Sequence, residues 1–408
     1  MSFFYDSLFI VIVIMLFNYR IHTFALFAAL CCASFSCAHL CAQSLSTQAT
    51  TRIRLAVVGD FMCHDSQVSA ALQKDGSYDY TACYAHIAPL IAKADFAFGN
   101  LETVLAGKAQ KYTGYPAFNS PDSYAVAIKQ AGFDALTTAN NHSFDRGYIG
   151  IKRTLTVLDS LGIPHTGTTD SQQERSKPLV VNVHGVNVGI IAYTYGLNGG
   201  ALSGQNRTTV NIVDTTAIRA DIQYLQELPQ AERPDIILAS LHWGAEYQLQ
   251  PSPEQRKFAD WLFRAGVHAL LGAHPHVVQT VENKSVVRVM EGRLDTLQRP
   301  AIYSMGNFIS GQRTKPRETG VVVWLQIEKS ASGGAKIVGM GYTPTYIDKR
   351  RNDEGRTEYR VLNVPQAVKE ADQNPTLYPA NITKRLREIL NDIAKQFATQ
   401  NNSFRLVE

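Results

Sequence analysis

The chain has 408 residues, of which 45% are hydrophobic and 18% charged, with a net charge of +4. The length suits one large domain, or one domain with a small appendage, and the composition is that of a globular protein with a substantial core. The small net charge, with no long Lys/Arg run, excludes a basic nucleic-acid-binding protein.

The N-terminus stands apart. Residues 8–17 read LFIVIVIMLF and residues 24–38 read FALFAALCCASFSCA, with Arg20 and His22 between them. Each apolar run is shorter than the roughly 20 residues of a spanning helix. The second follows a positive charge and ends in small residues, a secretory pattern, and Met15 would serve as its start. Residues 1–43 are therefore read as a signal peptide or membrane-anchor leader. That places the mature chain outside the cytoplasm: secreted, periplasmic or on the outer surface, with membrane or lipid anchoring as a variant. Cys31, Cys32, Cys37 and Cys41 lie in this leader. Cys37 follows a small residue and offers a lipid-attachment point, although no Leu-x-Gly/Ala-Cys box is present. Cys63 and Cys83 remain; an oxidising compartment would let them pair, but two free buried thiols are the simpler expectation.

The first strand is RIRLAVVGD, 52–60, with a short apolar centre as in a strand buried on both faces. Helical segments follow at about 66–72 and 83–93, then a strand at 95–100. Ser120-Pro121-Asp122 opens a helix to about Gly132, with Pro in the first turn, and 134–140 is a third strand. Ile151, Leu155, Leu158 and Leu161 have helical spacing, and Gly162 ends that helix. Residues 180–194 read as a hairpin turning at His184-Gly185. A helix from Asp214 to about Leu228, a strand at 235–243, a helix at 253–265 and strands at 268–272 and 301–305 follow. The rest to about 346 is mostly strand with Gly-rich turns such as Ser332-Gly333-Gly334, and 380–398 form a terminal amphipathic helix.

Alternating strands and helices predict an α/β fold. Asp60, Asn100, Asn140, His242 and Asn307 all fall where an apolar strand stops, and in α/β sheets ligands bind at that edge. Each has a plainer reading. A lone Asp after Val58-Gly59 is commonly a turn or cap residue, Gly99-Asn100-Leu101-Glu102 is a polar turn, and a single His such as His242 is commonly a satisfied core residue. Asn140-Asn141-His142-Ser143-Phe144-Asp145 is harder to dismiss: Asn offers a carbonyl oxygen to a metal, and a neighbouring His can act as general acid, with Asp145 to orient it. In Gly272-Ala273-His274-Pro275-His276, two imidazoles at i and i+2 can aim at one point, and imidazole suits Zn, Fe and Mn-type ions. Oxygen and imidazole donors in this mixture suit two adjacent divalent cations better than one structural zinc. Such a pair fits phosphate-ester hydrolysis, with amide hydrolysis as the alternative. His64, four residues after Asp60, and Glu246 in His242-Trp243-Gly244-Ala245-Glu246-Tyr247 are further candidates, as are Asn100 and Asn307.

The ordered segments GDFM (59–62), GNLE (99–102), NNHSFD (140–145), HWGAEY (242–247), GAHPHV (272–277) and YSMGNF (303–308) resemble the CapA, or poly-γ-glutamate capsule-synthesis, family, which is similar in fold to calcineurin-like metallophosphatases. The resemblance spans 52–310. It implies a four-layer αββα sandwich, with residues 311–408 as a C-terminal extension of strands and one helix packed on the same domain. By the same resemblance Asp60, Glu102 (bridging), Asn141, His242, His274 and His276 are metal ligands, and His142 is the acid beside them. The phosphatases place a His two residues after the first Asp; here that position is Met62, with His64 as the nearest substitute. The implied role is metal-dependent hydrolysis in making or processing an anionic envelope polymer or a phosphoester, in company with a membrane-bound polymer synthase. The alternative is a non-catalytic polymer-binding or assembly subunit.

Overall fold

Along the first strand, Thr51–Phe61 (β1), Leu55 and Val57 join one buried cluster while Ala56 and Val58 join another. Side chains alternate across a strand, so a run apolar at every position must be covered on both faces. Two such covered sheets are built by the described residues. The computed structural model describes residues 50–290, 293–331, 333–398 and 404–407. The leader read over residues 1–43, with Cys37, lies outside the described residues, as does Ser332. The chain divides into one unit of residues 1–50 with 330–332 and another of 51–329 with 333–408; the elements below belong to the second.

After β1 come Phe96–Leu101 (β2), Ala135–Thr137 (β3) and His165–Thr166 (β4), then Leu179–Val183 (β5), Val186–Thr194 (β6), Ile236–His242 (β7), Ala269–Ala273 (β8), Val281–Met290 (β9) and Arg293–Ile302 (β10). Asn307–Ile309 (β11), Thr319–Lys329 (β12), Ala335–Arg351 (β13), Thr357–Asn363 (β14) and Phe404–Leu406 (β15) complete the strands. The first sheet runs β14-β13-β12-β1-β2-β3-β4, with β11 beside β1 and β15 beside β13; the second runs β5-β6-β7-β8-β10-β9. The chain thus builds half of one sheet, all of the other, and returns. Strands β1, β2 and β3 are parallel, and so are β6, β7 and β8.

Helices Asp65–Ala71 (α1), Thr81–Tyr84 (α2), Ala88–Ile91 (α3), Asp122–Gln130 (α4) and Gly147–Ser160 (α5) accompany the first sheet; Thr215–Glu227 (α6) and Pro253–Ala265 (α7) accompany the second. Tyr84, Ile87, Tyr124, Ile128 and Leu158 cluster with Ala56 and Val58 on one outer face. Ile218, Ile222, Leu225, Leu262 and Phe263 cluster with Ile191, Ile237 and Leu241 on the other. Between the sheets, Leu55, Val57, Phe96 and Phe98 meet Val188, Ile190, Leu238 and Leu271. The layers are therefore helix, sheet, sheet, helix. The C-terminal helices Val364–Gln373 (α8) and Ala380–Phe397 (α9) send Ala367, Ala371, Leu386, Ile389 and Phe397 into this inter-sheet cluster.

Two glycines let the sheets' ends approach. A Cβ on Gly59 would lie 1.9 Å from the Gly306 carbonyl oxygen, and one on Gly272 would lie 1.9 Å from that of Tyr303. Residues Tyr303–Gly306 form a strap from β10 in the second sheet to β11 in the first. Asn307 consequently opens a strand, paired with Asp60, where the sequence reading has it follow one; the positive φ of Gly306 (68°) turns the chain there.

Candidate metal centre

The parallel strands of both sheets end at one place. Asp60 lies near the end of β1, Glu102 just past β2, Asn140, Asn141 and His142 past β3, His242 at the end of β7, and His274 and His276 past β8. All are buried. Two ligand sets share Glu102: Glu102, His274 and His276 form one, and Asp60, Glu102 and His242 the other, with the ligand atoms of each set within 4.8 Å of one another.

Asp60 is held on all sides. Its Oδ1 accepts from Asn100 Nδ2 at 2.8 Å, its Oδ2 accepts from the His274 N–H at 3.2 Å, and His276 Nδ1 is 3.2 Å from Oδ2. Burial pushes its pKa up, but His276, the charge of His242 and the Asn100 amide outweigh burial and hold it below the usual carboxylate range. Glu102 is the opposite case. Both its carboxylate oxygens are buried and neither has a hydrogen-bond partner. Burial, with Asp60 nearby, raises its pKa well above the ordinary value.

The imidazoles crowd around this carboxylate. His242 Nε2 is 2.8 Å from Asn141 Oδ1, 3.1 Å from His274 Nδ1 and 3.5 Å from Glu102 Oε1. His276 Nε2 is 3.8 Å from Glu102 Oε1. One ring nitrogen can carry one proton, which cannot satisfy three such neighbours at once. Two donors about 2.1 Å from a common ion stand about 3.4 Å apart at the tetrahedral angle, so these spacings and this donor set fit divalent cations. Burial lowers the pKa of His242 well below its ordinary value and takes that of His274 to about 4, which keeps both rings in the neutral form that binds metal.

Residues 54–312 match the family of bacterial capsule synthesis proteins PGA_cap. The chain belongs to this family. Relatives of this PGA_cap chain occur in several bacteria. It is 26% identical to the capsule biosynthesis protein CapA of Bacillus anthracis over 66% of this chain and 63% of that protein. It is 25% identical to the PGA biosynthesis protein CapA of Bacillus subtilis, over 69% of each. A probable polyglutamine synthesis accessory protein of Mycobacterium tuberculosis is 29% identical over 63% of this chain and 67% of its own length. The matched region thus spans about two thirds of these relatives. Among solved structures, the NAD nucleotidase of Haemophilus influenzae is similar at TM-score 0.40 and 13% identity, over 88% of this chain and 57% of that one. A hypothetical protein of Thermus thermophilus is similar at TM-score 0.39 and 16% identity, over 72% and 98%; both likenesses are loose.

In this PGA_cap chain the remaining candidates divide by position. Asn100 and Asn307 touch the histidines: Asn100 Nδ2 also stands 3.1 Å from His242 Nδ1, and Asn307 Oδ1 is 3.0 Å from His276 Nδ1. His64 is in neither ligand set. Its Nδ1 accepts the Gly311 N–H at 3.1 Å and its ring stands edge-on to Phe118, because α1 begins immediately after it and turns the loop aside. Met62 is buried. Glu246 is exposed at the rim. His142 Nδ1 is 2.7 Å from Asp145 Oδ2, and its Nε2 is 3.2 Å from Asn198 Nδ2.

Sequence reasoning misses Asn198, which also donates its backbone N–H to the Asn141 carbonyl at 2.8 Å. Its loop, Tyr195-Gly196-Leu197-Asn198-Gly199-Gly200, carries no periodic signal. The same reasoning misses Tyr195, whose ring centroid is 4.6 Å from that of His274. Cys63 and Cys83 are free and buried. No helix among the described residues is long and apolar enough to cross a membrane.

Proposed function

We propose that the chain is a metal-dependent hydrolase of the cell envelope, acting on an anionic polymer of poly-γ-glutamate type or on a phosphoester used in making it. The observation that carries this reading is Glu102, a buried carboxylate with both oxygens unpaired at the junction of two ligand sets. With no cation beside it, burial favours the protonated form of this carboxyl; bound divalent ions would stabilise its ionised form and occupy oxygens that no protein donor reaches.

In this reading Asp60, Glu102, Asn141, His242, His274 and His276 hold two ions of the Mn, Fe or Zn kind. When bound, such a pair polarises a phosphoryl or carbonyl oxygen and activates water. The protein's own groups do the rest. Asn100 and Asn307 fix the ligands' orientation, as outer partners do in metal sites. Asp145 accepts the Nδ1 proton and fixes the His142 ring, and Nε2, which accepts from Asn198 Nδ2 in this geometry, is the position that would take up a proton and deliver it to a leaving oxygen.

The other reading is a non-catalytic polymer-binding or assembly subunit working with a membrane-bound synthase. It draws support from the mycobacterial relative, which is named an accessory protein. Metal analysis of purified protein, coupled to a panel of aryl phosphates, phosphodiesters and γ-glutamyl peptides, separates the two. Metal-dependent turnover of any member supports the hydrolase. A metal-loaded protein that binds polymer but turns nothing over is the assembly subunit. Envelope location rests on Arg20 and the apolar run 24–38; recovery of a tagged protein in the cytoplasm with residues 15–42 intact would remove it.

A further inference from the structure

The loop after β11 carries three cations, Arg313, Lys315 and Arg317. Two are engaged away from the metal centre. Lys315 Nζ is 2.6 Å from Glu388, and Arg313 donates to the Ile347 carbonyl and lies over the Tyr346 ring. Arg317 forms no ion pair among the described residues, and its guanidinium carbon lies 4.2 Å from the centroid of the Tyr247 ring.

Tyr247 is fixed to the metal centre. Its N–H donates to the carbonyl of Pro275, the residue between His274 and His276, at 2.8 Å, and its ring centroid is 6.2 Å from that of His276. Tyr247 (φ 66°), His274 (94°) and His276 (57°) all have left-handed backbones. Non-glycine residues hold that conformation only where the surroundings over-determine it, which is characteristic of functional sites. The main chain of Arg317 leads to the same ring. Its carbonyl accepts from Asn307 Nδ2 at 2.9 Å, and Asn307 Oδ1 is 3.0 Å from His276 Nδ1. Arg317 is thus linked to His276 through one residue on each route, Asn307 from its backbone and Tyr247 from its side chain. Tyr247 is 42% exposed, and its phenol is within hydrogen-bonding reach of both the exposed Glu246 and Arg317.

We propose that Arg317, laid on Tyr247, is a specificity residue that binds an oxyanion of the substrate beside His276. The proposal rests on the reading that the centre receives an anionic substrate, and it names the group that recognises it. One edge of the Arg317 guanidinium meets the Tyr247 phenol; a guanidinium has five N–H donors, and the planar fork left over matches a carboxylate or a phosphate. A γ-linked glutamyl chain leaves one free α-carboxylate beside every amide bond, which would place such an anion next to the bond at the centre. A phosphoryl group is the other source of the same chemistry.

The test uses the full, metal-loaded protein and calorimetric titration with two probes, a short γ-linked glutamyl oligomer and inorganic phosphate. Arg317→Met keeps the stack on Tyr247 and removes the charge; Arg317→Lys keeps the charge and removes the fork. Arg317→Met is expected to weaken binding about 10- to 100-fold, and Arg317→Lys by less, with metal content and melting temperature unchanged. Loss on the oligomer alone assigns the site to a polymer carboxylate. Loss on phosphate, alone or as well, assigns it to a phosphoryl oxyanion. Unchanged affinity for both probes in metal-loaded Arg317→Met overturns the proposal, as does failure of the unmutated protein to bind either. If Arg317→Met cannot be loaded with metal, Arg317→Lys carries the comparison, and its equality with the unmutated protein overturns the proposal. Binding is read directly, so absence of hydrolysis by the unmutated protein would remove the hydrolase reading and leave this one standing.

Discussion

His142 Nδ1 lies 2.7 Å from Asp145 Oδ2, with both side chains 3% exposed. The same carboxylate oxygen accepts the Phe118 N–H at 2.5 Å, and the Phe118 ring stands edge-on to the imidazole at 4.5 Å between centroids. The ring is therefore fixed from two directions, and its Nε2 faces Asn198. General acid catalysis contributes about 10²- to 10⁴-fold, so His142→Ala should lose roughly that much turnover while keeping its metal. Asp145→Asn keeps an acceptor but not the charge and should show a milder form of the same defect. Metal content and turnover are compared in His142→Ala and His274→Ala. Equal metal loss in the two would make His142 a ligand.

Asp60, Glu102, Asn141, His242, His274 and His276 are legible in the sequence because each follows a short apolar run, and the ends of parallel strands meet at one edge. What the sequence does not carry is the partner of each strand. β1 pairs antiparallel with β12, Leu55 opposite Leu325, a contact between distant residues that no local period encodes. The segment read as a C-terminal extension therefore continues the first sheet as neighbours of β1. The β9–β10 hairpin is missed for a related reason: Glu282, Asn283, Lys284 and Ser285 interrupt its pattern. Helix α8 begins directly at the end of β14 on Val364-Pro365, leaving no loop signal between them. His64 lies four residues after Asp60, and the course of the loop into α1 turns its Nδ1 to Gly311, a contact that the sequence does not show.

Glu102 belongs to both ligand sets, so its removal should cost more metal than loss of any one imidazole. Glu102→Gln should lose bound metal from both positions, and His274→Ala with His276→Ala should empty the set they share with it. Metal bound only by the folded state stabilises by about 2.7 kcal/mol at a hundredfold excess over Kd. The unmutated protein should therefore melt higher with metal than with chelator, and Glu102→Gln should show little difference. With chelator the two proteins should melt alike, since burial keeps the Glu102 carboxyl protonated and the amide that replaces it is equally unpaired. Metal stoichiometry unchanged in Glu102→Gln would remove it as a ligand.

His64 gives a pH dependence of definite sign. Burial, with His276 nearby, takes its pKa from 6.5 to about 4. The folded state keeps the ring neutral where the unfolded chain protonates it, so the unfolded state binds more protons between about pH 6.5 and 4. Stability from this group is present above pH 6.5 and is lost as the pH falls towards 4, by at most about 3 kcal/mol. His64→Gln should flatten that acid limb. Chemical denaturation of chelated protein from pH 7 to 4 measures it, and identical limbs in the two proteins would show that His64 does not set the slope.

Gly272 sets the position of the two histidines that follow it. A Cβ there would lie 1.9 Å from the Tyr303 carbonyl oxygen and 2.8 Å from Trp243 Nε1. Those two atoms are hydrogen-bonded at 3.1 Å, and the Gly272 carbonyl accepts the Met305 N–H at 3.0 Å. A methyl group must therefore push the Tyr303–Gly306 strap away from β8, and it breaks hydrogen bonds as well as packing. Overpacking of this kind costs about 1–3 kcal/mol. The strap also delivers Asn307 to His276, so the displacement should reach the ligands from both sides. Gly185 is the control. It turns the β5–β6 hairpin with φ 86°, and a Cβ there meets nothing within 4 Å. Gly185→Ala should cost about 1 kcal/mol through backbone strain alone and leave metal binding intact. Gly272→Ala should lose both stability and metal. If folded Gly272→Ala retains its full complement of metal, the close approach of β8 to the strap is a packing feature and does not position His274 and His276.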